Sequence, residues 1–573
     1  MIKISKLIFV LVLAASFTSA AFGATYMVTK TADTADGTCD ADCSLREAIA
    51  AANATADNDV IAFSALFASP QTITLGGSDL IIANNGSLTI TGPGSDKLIV
   101  SGNNASRVFT NNTGSIATIS SLSVTGGIGV STVQTGRGGG VYNNAGTLTL
   151  IDLAIFGNTA TNGGGANNAG TATLNIVGCA IFGNAATGSG GAVQNFSGNN
   201  LNISNSSITG NTAGSTVGGG AIQGNGTVTI SNSTVANNSA TNGPGGGIIF
   251  NGTALTVTNS TFSGNSSTTN GGGIHKSTTN PGNIRNTIVS GNNGAAASPD
   301  ITGIFNSLGN NVIGNIGTAT GWIGSDLQNV NPLLSPLGFY GGIGASYALL
   351  STSPALNAGQ NCVIDLSCAT NNPTNAITTD QRGAVRPSNT TVEIGAFEES
   401  TAYRSVLREA VQGTIFNRII APVAGTAIYA LASGTLPGNV TVSTTSGVAS
   451  IGGTPTSSGT FDFTVSVSNG GNVALINYRL VVLPQSGSVA TVGGRVTRAD
   501  GNGIGKVRVT LVDAGGNPRT TITSSFGYYA FAGAIVGESQ QLIVASKLYT
   551  FSPNTLNFVV TGDLNNLNFT AQP

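Results

Sequence analysis

Residues 218–238 read GGGAIQGNGTVTISNSTVANN, and residues 245–265 read GGGIIFNGTALTVTNSTFSGN. The two strings align without a gap. Each opens on three glycines, passes an apolar stretch and a polar turn, alternates as in Thr227-Val228-Thr229-Ile230, and closes on an asparagine. The pattern also begins at Gly138, Gly163, Gly190 and Gly271, giving six copies 25 to 28 residues apart between Arg137 and Asn293. Helical repeats of this length are rich in Leu, Ala, Glu and Lys. These copies carry almost no charge and alternate with period two, so each is one coil of a stacked β-solenoid.

Counting back from each closing asparagine shows what the coils bury. One inward column holds Ile155, Ile181, Ile208, Val235, Phe262 and Val289. A second holds Leu150, Ile176, Ile203, Ile230, Val257 and Ile284, and a third Leu148, Leu174, Leu201, Val228 and Leu255, failing only at Gly282. Equivalent residues of successive coils lie about 4.8 Å apart, so each column becomes an apolar stack. The closing residues Asn158, Asn184, Asn211, Asn238, Asn265 and Asn292 form a polar column. Asparagine tolerates left-handed backbone at a corner, and its amide can bond the amides above and below. A less regular polar column, Asp152, Gly178, Asn205, Asn232, Asn259 and Asn286, marks another corner. The fold class expected is all-β: a parallel β-helix with a short N-terminal capping helix, followed by two β-sandwich domains.

Only 8% of residues are charged, the net charge is −2, and no basic run could follow a phosphate backbone, so nucleic acid is not an expected partner. The first 23 residues read as a secretory signal peptide. Lys3 and Lys6 supply the positive start, Leu7 to Ala15 the apolar core, and Ala21-Phe22-Gly23 a small-residue cleavage context. No second apolar run of about 20 residues follows, so no transmembrane segment is expected after cleavage, and the chain is expected to be secreted or at the cell surface. Two local disulfides, Cys39 with Cys43 and Cys362 with Cys368, fit an oxidising compartment. Cys179 shares a column with Ser206, Ser233 and Ser260 and reads as a small packing residue.

A β-helix leaves its apolar core open at both ends, and something must close each. Ser44 and Glu47 in Ser44-Leu45-Arg46-Glu47-Ala48-Ile49 have capping-box spacing, which predicts a short helix whose Leu45, Ala48, Ile49 and Ala52 cover the first coil. Capping and packing account for Glu47 and Arg46 without catalysis. The string Cys43-Ser44-Leu45-Arg46-Glu47-Ala48 is also the signature of the CSLREA family of bacterial surface proteins. The coils themselves resemble the pectin-lyase-like superfamily, which implies a right-handed helix and hosts lyases, hydrolases, adhesins and passive stalks.

Residues 316–399 contain Asn331-Pro332-Leu333-Leu334, Tyr347-Ala348-Leu349-Leu350, Asp380-Gln381-Arg382-Gly383 and Glu393-Ile394-Gly395-Ala396-Phe397-Glu398. They resemble the choice-of-anchor Q region that ends many secreted β-helix proteins, with Asn331 and Glu393 where that family usually has Asp. The resemblance implies a C-terminal cap on a β-helix spanning 24–315. Alternating strands with Gly/Pro turns over 411–484 resemble an immunoglobulin-like repeat. After a linker at Ser486-Gly487, residues 488–573 resemble the carboxypeptidase-regulatory-like, transthyretin-type sandwich, which carries no peptidase chemistry.

The coils offer little for catalysis. From Gly138 to Pro299 the acidic and basic side chains are Asp152, His275, Lys276 and Arg285, with no glutamate, so no facing carboxylate pair can be assembled there. His275-Lys276 has no acid or orienting partner in its neighbourhood of the sequence. Asp33, Asp36, Asp40 and Asp42 could hold calcium but lack EF-hand spacing, so no cofactor is expected. The function expected is a non-enzymatic extracellular structural or adhesive protein, with polysaccharide or cell-surface components as partners. Carbohydrate binding is the alternative, with Tyr142 and Phe250 as candidate stacking rings. A polysaccharide lyase or glycosidase would need acids from the solenoid ends.

Overall fold

The computed structural model describes residues 23–83, 86–295, 299–371, 373–484, 489–513, 515–536 and 538–572. The signal-peptide reading, Gly23 apart, and the Ser486-Gly487 linker lie outside them. Each repeat is one coil of parallel strands. The first runs Val141–Asn144, Thr147–Ile151, Ala154–Phe156 and Thr159–Ala160. Each strand pairs with its counterpart one coil later, as in Leu148 beside Leu174 and Ile155 beside Ile181. Stacking builds a nine-stranded first face, an eleven-stranded second face, an eleven-stranded third face and a five-stranded strip.

Period-two alternation sets what points in. Along Thr147–Ile151 only Leu148 and Leu150 are fully buried, and the same alternation recurs in Thr173–Val177 and Thr227–Ser231. The three apolar columns merge into one continuous core. At Gly282, where the third column lacks a side chain, the Lys276 stem, Leu255 and Phe305 approach the vacant Cβ position to 3.3–3.4 Å and fill it.

The helix Leu45–Asn53 closes the N-terminal end. Ser44 accepts from the Glu47 amide, the Glu47 carboxylate accepts from the Ser44 amide, and Leu45, Ala48, Ile49 and Ala52 join the core. At the other end Ile316, Ala319 and Trp322 pack on the last coil, with the Trp322 ring stacked 5.6 Å from Phe305. Leu327–Gln328 then adds the last strand of the third face, and the strap that follows, from Leu333 to Glu398, runs back along the outside of that face. Ala396 N donates to Thr261 Oγ1 and Gly395 N to the Asn286 carbonyl, while Arg386 reaches Asn232. The cause lies in the outward residues of that face. Ile288 and Val312 are apolar there and bury against Leu349, Ala355 and Ile394.

Beyond it, strands within 405–483 form a five-stranded and a three-stranded sheet, and strands within 489–570 form a three-stranded and a four-stranded sheet. Tyr340, Ala348, Leu350 and Phe397 of the flanking strap are part of the apolar core of the first of these units.

Candidate functional site

The closing asparagines are buried and joined into a chain. Nδ2 of Asn158, Asn184, Asn211, Asn238 and Asn265 each donates to Oδ1 of the next at 2.8–3.0 Å. The same Oδ1 accepts from the backbone N of the preceding asparagine, as in Asn184 N to Asn211 Oδ1 at 3.0 Å. A fully bonded polar column of this kind avoids the cost of buried unsatisfied groups and fixes the register of every coil.

The corner geometry differs from expectation in one respect. The ladder asparagines are not the left-handed residues; the residue before each is, namely Gly157, Gly183, Gly210, Asn237, Gly264 and Gly291. An inward amide and a left-handed backbone are separate demands, and two adjacent residues meet them. The second column is left-handed, with Asn205, Asn232, Asn259 and Asn286 at φ 45–51°.

The glycine triplets serve the same ladder. A Cβ on Gly165 would lie 2.8 Å from the Ala192 carbonyl and 3.3 Å from the Asn184 amide carbon. Two coils fit the small methyl of Ala192 and Ala221 at this position, whereas at the middle glycine a Cβ on Gly164 would lie 2.4 Å from the Ala185 carbonyl and 2.5 Å from that of Gly191, where no side chain fits. Gly163, at φ 66°, folds back over the outward side of the following strand, where a Cβ on it would lie 3.1 Å from the Asn167 Cβ. The loops thereby roof the outward row of the first face, so Tyr142, Asn167, Gln194 and Gln223 are 0–5% exposed.

A second ladder escaped the sequence reading. Asn111 donates to Asn143, Asn143 to Asn168 and Asn168 to Asn195, each at 2.8 Å inside the first face. Counting forward from the glycines places Asn143, Asn168 and Asn195 in one register, whereas counting back from the closing asparagine blurs it because coil lengths differ.

The titratable groups of the coils are dispersed. His275 Nδ1 lies 2.7 Å from Thr302 Oγ1, and burial lowers its pKa. The Lys276 ammonium donates to the carbonyl and hydroxyl of Thr278, with its pKa lowered by burial. Arg285 donates to the carbonyls of Thr370 and Asn371. The Cys179 thiol is buried and pushed up to about 12 by desolvation, its sulfur standing where the serine column has hydroxyls. Near the N-terminal end Arg107 is buried with Asp79 at 3.4 Å and is drawn down to about 10 by burial, the Asp79 charge opposing the change. This pair was not singled out in the sequence.

Among the N-terminal acids, Asp33 pairs with Arg46 at 2.8 Å and Asp42 with Lys30 at 3.0 Å. Asp36 accepts from Thr38 and Asp40 from the Asp42 amide. Among the described residues no three His, Cys, Asp or Glu side chains converge as a metal site. The sulfurs of Cys39 and Cys43 are 2.05 Å apart and those of Cys362 and Cys368 2.06 Å.

The densest charged cluster lies in the strap. Arg386 donates to Glu398 at 3.0 Å, and Glu398 also accepts from the amides of Ser388 and Glu393. The Glu393 side-chain oxygens, fully buried beside it, accept no hydrogen bond. Burial and the adjacent Glu398 carboxylate push the Glu393 pKa well up, so it keeps its proton. The cluster joins strap to solenoid through Arg386 and Asn232. Tyr142 and Phe250, the rings expected to meet sugars, are 3% and 1% exposed, so neither can stack on a ligand. The stacked pair Phe156 and Phe182 on the third face is more open, with Phe182 40% exposed.

No family model and no curated protein matches the chain. Among solved structures it is similar to the major pilin subunit of Bacillus cereus, at 11% identity and a TM-score of 0.13 over 27% of this chain and 56% of that one. The adhesin InvE of Yersinia pseudotuberculosis shares 17% identity at a TM-score of 0.10 over 27% of this chain and 56% of that one. An endo-fucoidan hydrolase of glycoside hydrolase family 107 shares 14% at 0.13 over 30% of this chain and 33% of that one. The chain thus spans about half the length of the pilin and the adhesin, and at such scores none of the three carries a functional argument.

Proposed function

We propose that this chain is an exported, non-enzymatic extracellular rod that works as a structural or adhesive component of the cell surface. One observation carries the reading: the amides of the closing asparagines inside the coils are consumed in holding coil to coil. The asparagine ladder runs unbroken from Asn158 to Asn292, and His275, Lys276 and Arg285 bond to hydroxyls and carbonyls far from any carboxylate pair. A polar interior arranged for register supplies stiffness. The signal-like residues 1–23, the CSLREA string, the choice-of-anchor Q-like segment and the two disulfides support export.

Carbohydrate binding is a second reading, favoured by the half-open Phe156 and Phe182 rings on the third face. The test is to incubate the chain lacking residues 1–23 with a glycan array and with soluble polysaccharides, measuring binding and released sugar together. Binding without product supports the adhesive or carbohydrate-binding readings, and Phe182→Ala separates them. Product above the buffer control overturns the non-enzymatic reading.

A further inference from the structure

The second face carries a pattern that the rod does not need. Nine consecutive strands place Thr89, Thr118, Thr149, Asn175, Asn202, Thr229, Thr256, Asn283 and Asn306 side by side in register. All nine occupy outward positions, between the buried columns. A flanking row holds Thr147, Thr173, Asn200, Thr227 and Ala254, and the other holds Ile151, Val177, Ser204, Ser231 and Thr258. The strap lies mainly on the third face and reaches this one only at its C-terminal corner, where Arg285, next in register after Thr258, donates to Thr370 and Asn371 and Thr258 is buried; the rows before Thr258 are left open. The middle row is about 38 Å long, and the three rows together span about 13 Å by about 19 Å, with repeats of about 4.8 Å along the stack and about 6.6 Å along each strand.

We infer that this face binds ice, taking a crystalline water lattice as its ligand. Three features select that occupant. The three rows are uncharged from Thr89 to Thr258, so they offer no complementarity to an ionic polymer or a charged protein patch. They hold no aromatic ring, the feature expected of a face that stacks sugars. Hydroxyls, amides and methyls recur in two dimensions at spacings close to those of water oxygens in hexagonal ice, so a lattice can be engaged at many points at once.

The face is also set in place before any ligand arrives. Threonine is stiff at χ1. The amides of the middle row bond one another: Asn202 Nδ2 donates to Asn175 Oδ1 and Asn306 Nδ2 to Asn283 Oδ1, both at 2.9 Å, and Asn175 Nδ2 donates to Thr149 Oγ1 at 3.2 Å. Little side-chain freedom is left to lose on contact with a solid, which favours binding.

The experiment is ice-affinity partition of the full chain lacking residues 1–23 at micromolar concentration, with inhibition of ice recrystallisation as a second readout and crystalline cellulose and chitin as competing solids. The expected result is enrichment in the ice phase of tenfold or more over an inert protein. Thr229→Tyr and Thr149→Lys, which break the array from outward sites, abolish the enrichment with unchanged circular dichroism, while Thr125→Tyr on the third face leaves it intact. Exclusion of the wild-type chain from ice overturns the inference. So does enrichment that survives both second-face variants, or retention on cellulose or chitin together with exclusion from ice.

Discussion

Oδ1 of Asp300 accepts from both the backbone N and Nδ2 of Asn292, at 2.8 and 2.9 Å, in the place where every earlier coil supplies an asparagine. An acid ends the ladder cleanly because it accepts without presenting a further donor. At the other end Asn158 Oδ1 accepts from the Gly127 amide at 2.9 Å. The column is bounded at both ends by groups that leave no partner waiting.

Interior ladder positions are therefore sensitive. Asn238 donates to the Ile208 carbonyl and to Asn265 Oδ1, and accepts from both nitrogens of Asn211. Asn238→Leu strands those partners and should cost about 2–4 kcal/mol. A fall in the urea midpoint with new protease cuts near 211–265 is the expected outcome. Asn237→Gly, at φ 55° where other coils have glycine, should change stability by less than about 1 kcal/mol.

Glu393 gives a pH dependence. Its folded pKa is raised above the ordinary 4.5, so the folded state favours the protonated acid. Stability from this group is full below 4.5 and declines as pH rises through neutrality. Glu393→Gln keeps the neutral form. We expect it to raise the melting temperature at pH 8 and to flatten the loss seen between pH 5 and pH 9, measured by scanning calorimetry. Glu398→Gln, which breaks the pair with Arg386, should lower it.

At the helix cap the sign is opposite. Burial works to raise the Glu47 pKa, but hydrogen bonds from Ser44, Asp36 and Thr34 outweigh it and bring it from 4.5 to about 2. The stabilisation is present above 4.5 and lost as pH falls toward 2. Glu47→Ala should cost about 1 kcal/mol or more at pH 7 and little at pH 2. Far-ultraviolet circular dichroism melts at the two pH values check this.

Cys179 should be inert. With its thiol near 12 and fully buried, the native chain should show no reaction with a thiol reagent at pH 8 and should react once denatured. Cys179→Ser restores the residue found at Ser206, Ser233 and Ser260 and should shift the urea midpoint by less than the equivalent of about 1 kcal/mol. Rapid labelling of the native protein contradicts the buried placement.

Much of the solenoid was legible in the sequence because of its symmetry. A residue stacks on its equivalent about one repeat later, so a periodic column in the text is a column of contacts in space: Ile155 on Ile181, Asn158 on Asn184. Local spacing also sufficed for the capping box of Ser44 and Glu47. Outside the repeats no such rule relates distance along the chain to distance in space. That Ala396 bonds Thr261 and Arg386 reaches Asn232, that Glu393 is shut beside Glu398, and that Arg107 finds Asp79 were decided only when the strap folded back and the early loops closed. The burial of Tyr142 and Phe250 belongs with them. Period two showed which residues alternate, but which outward rows stay open depends on what later packs over them.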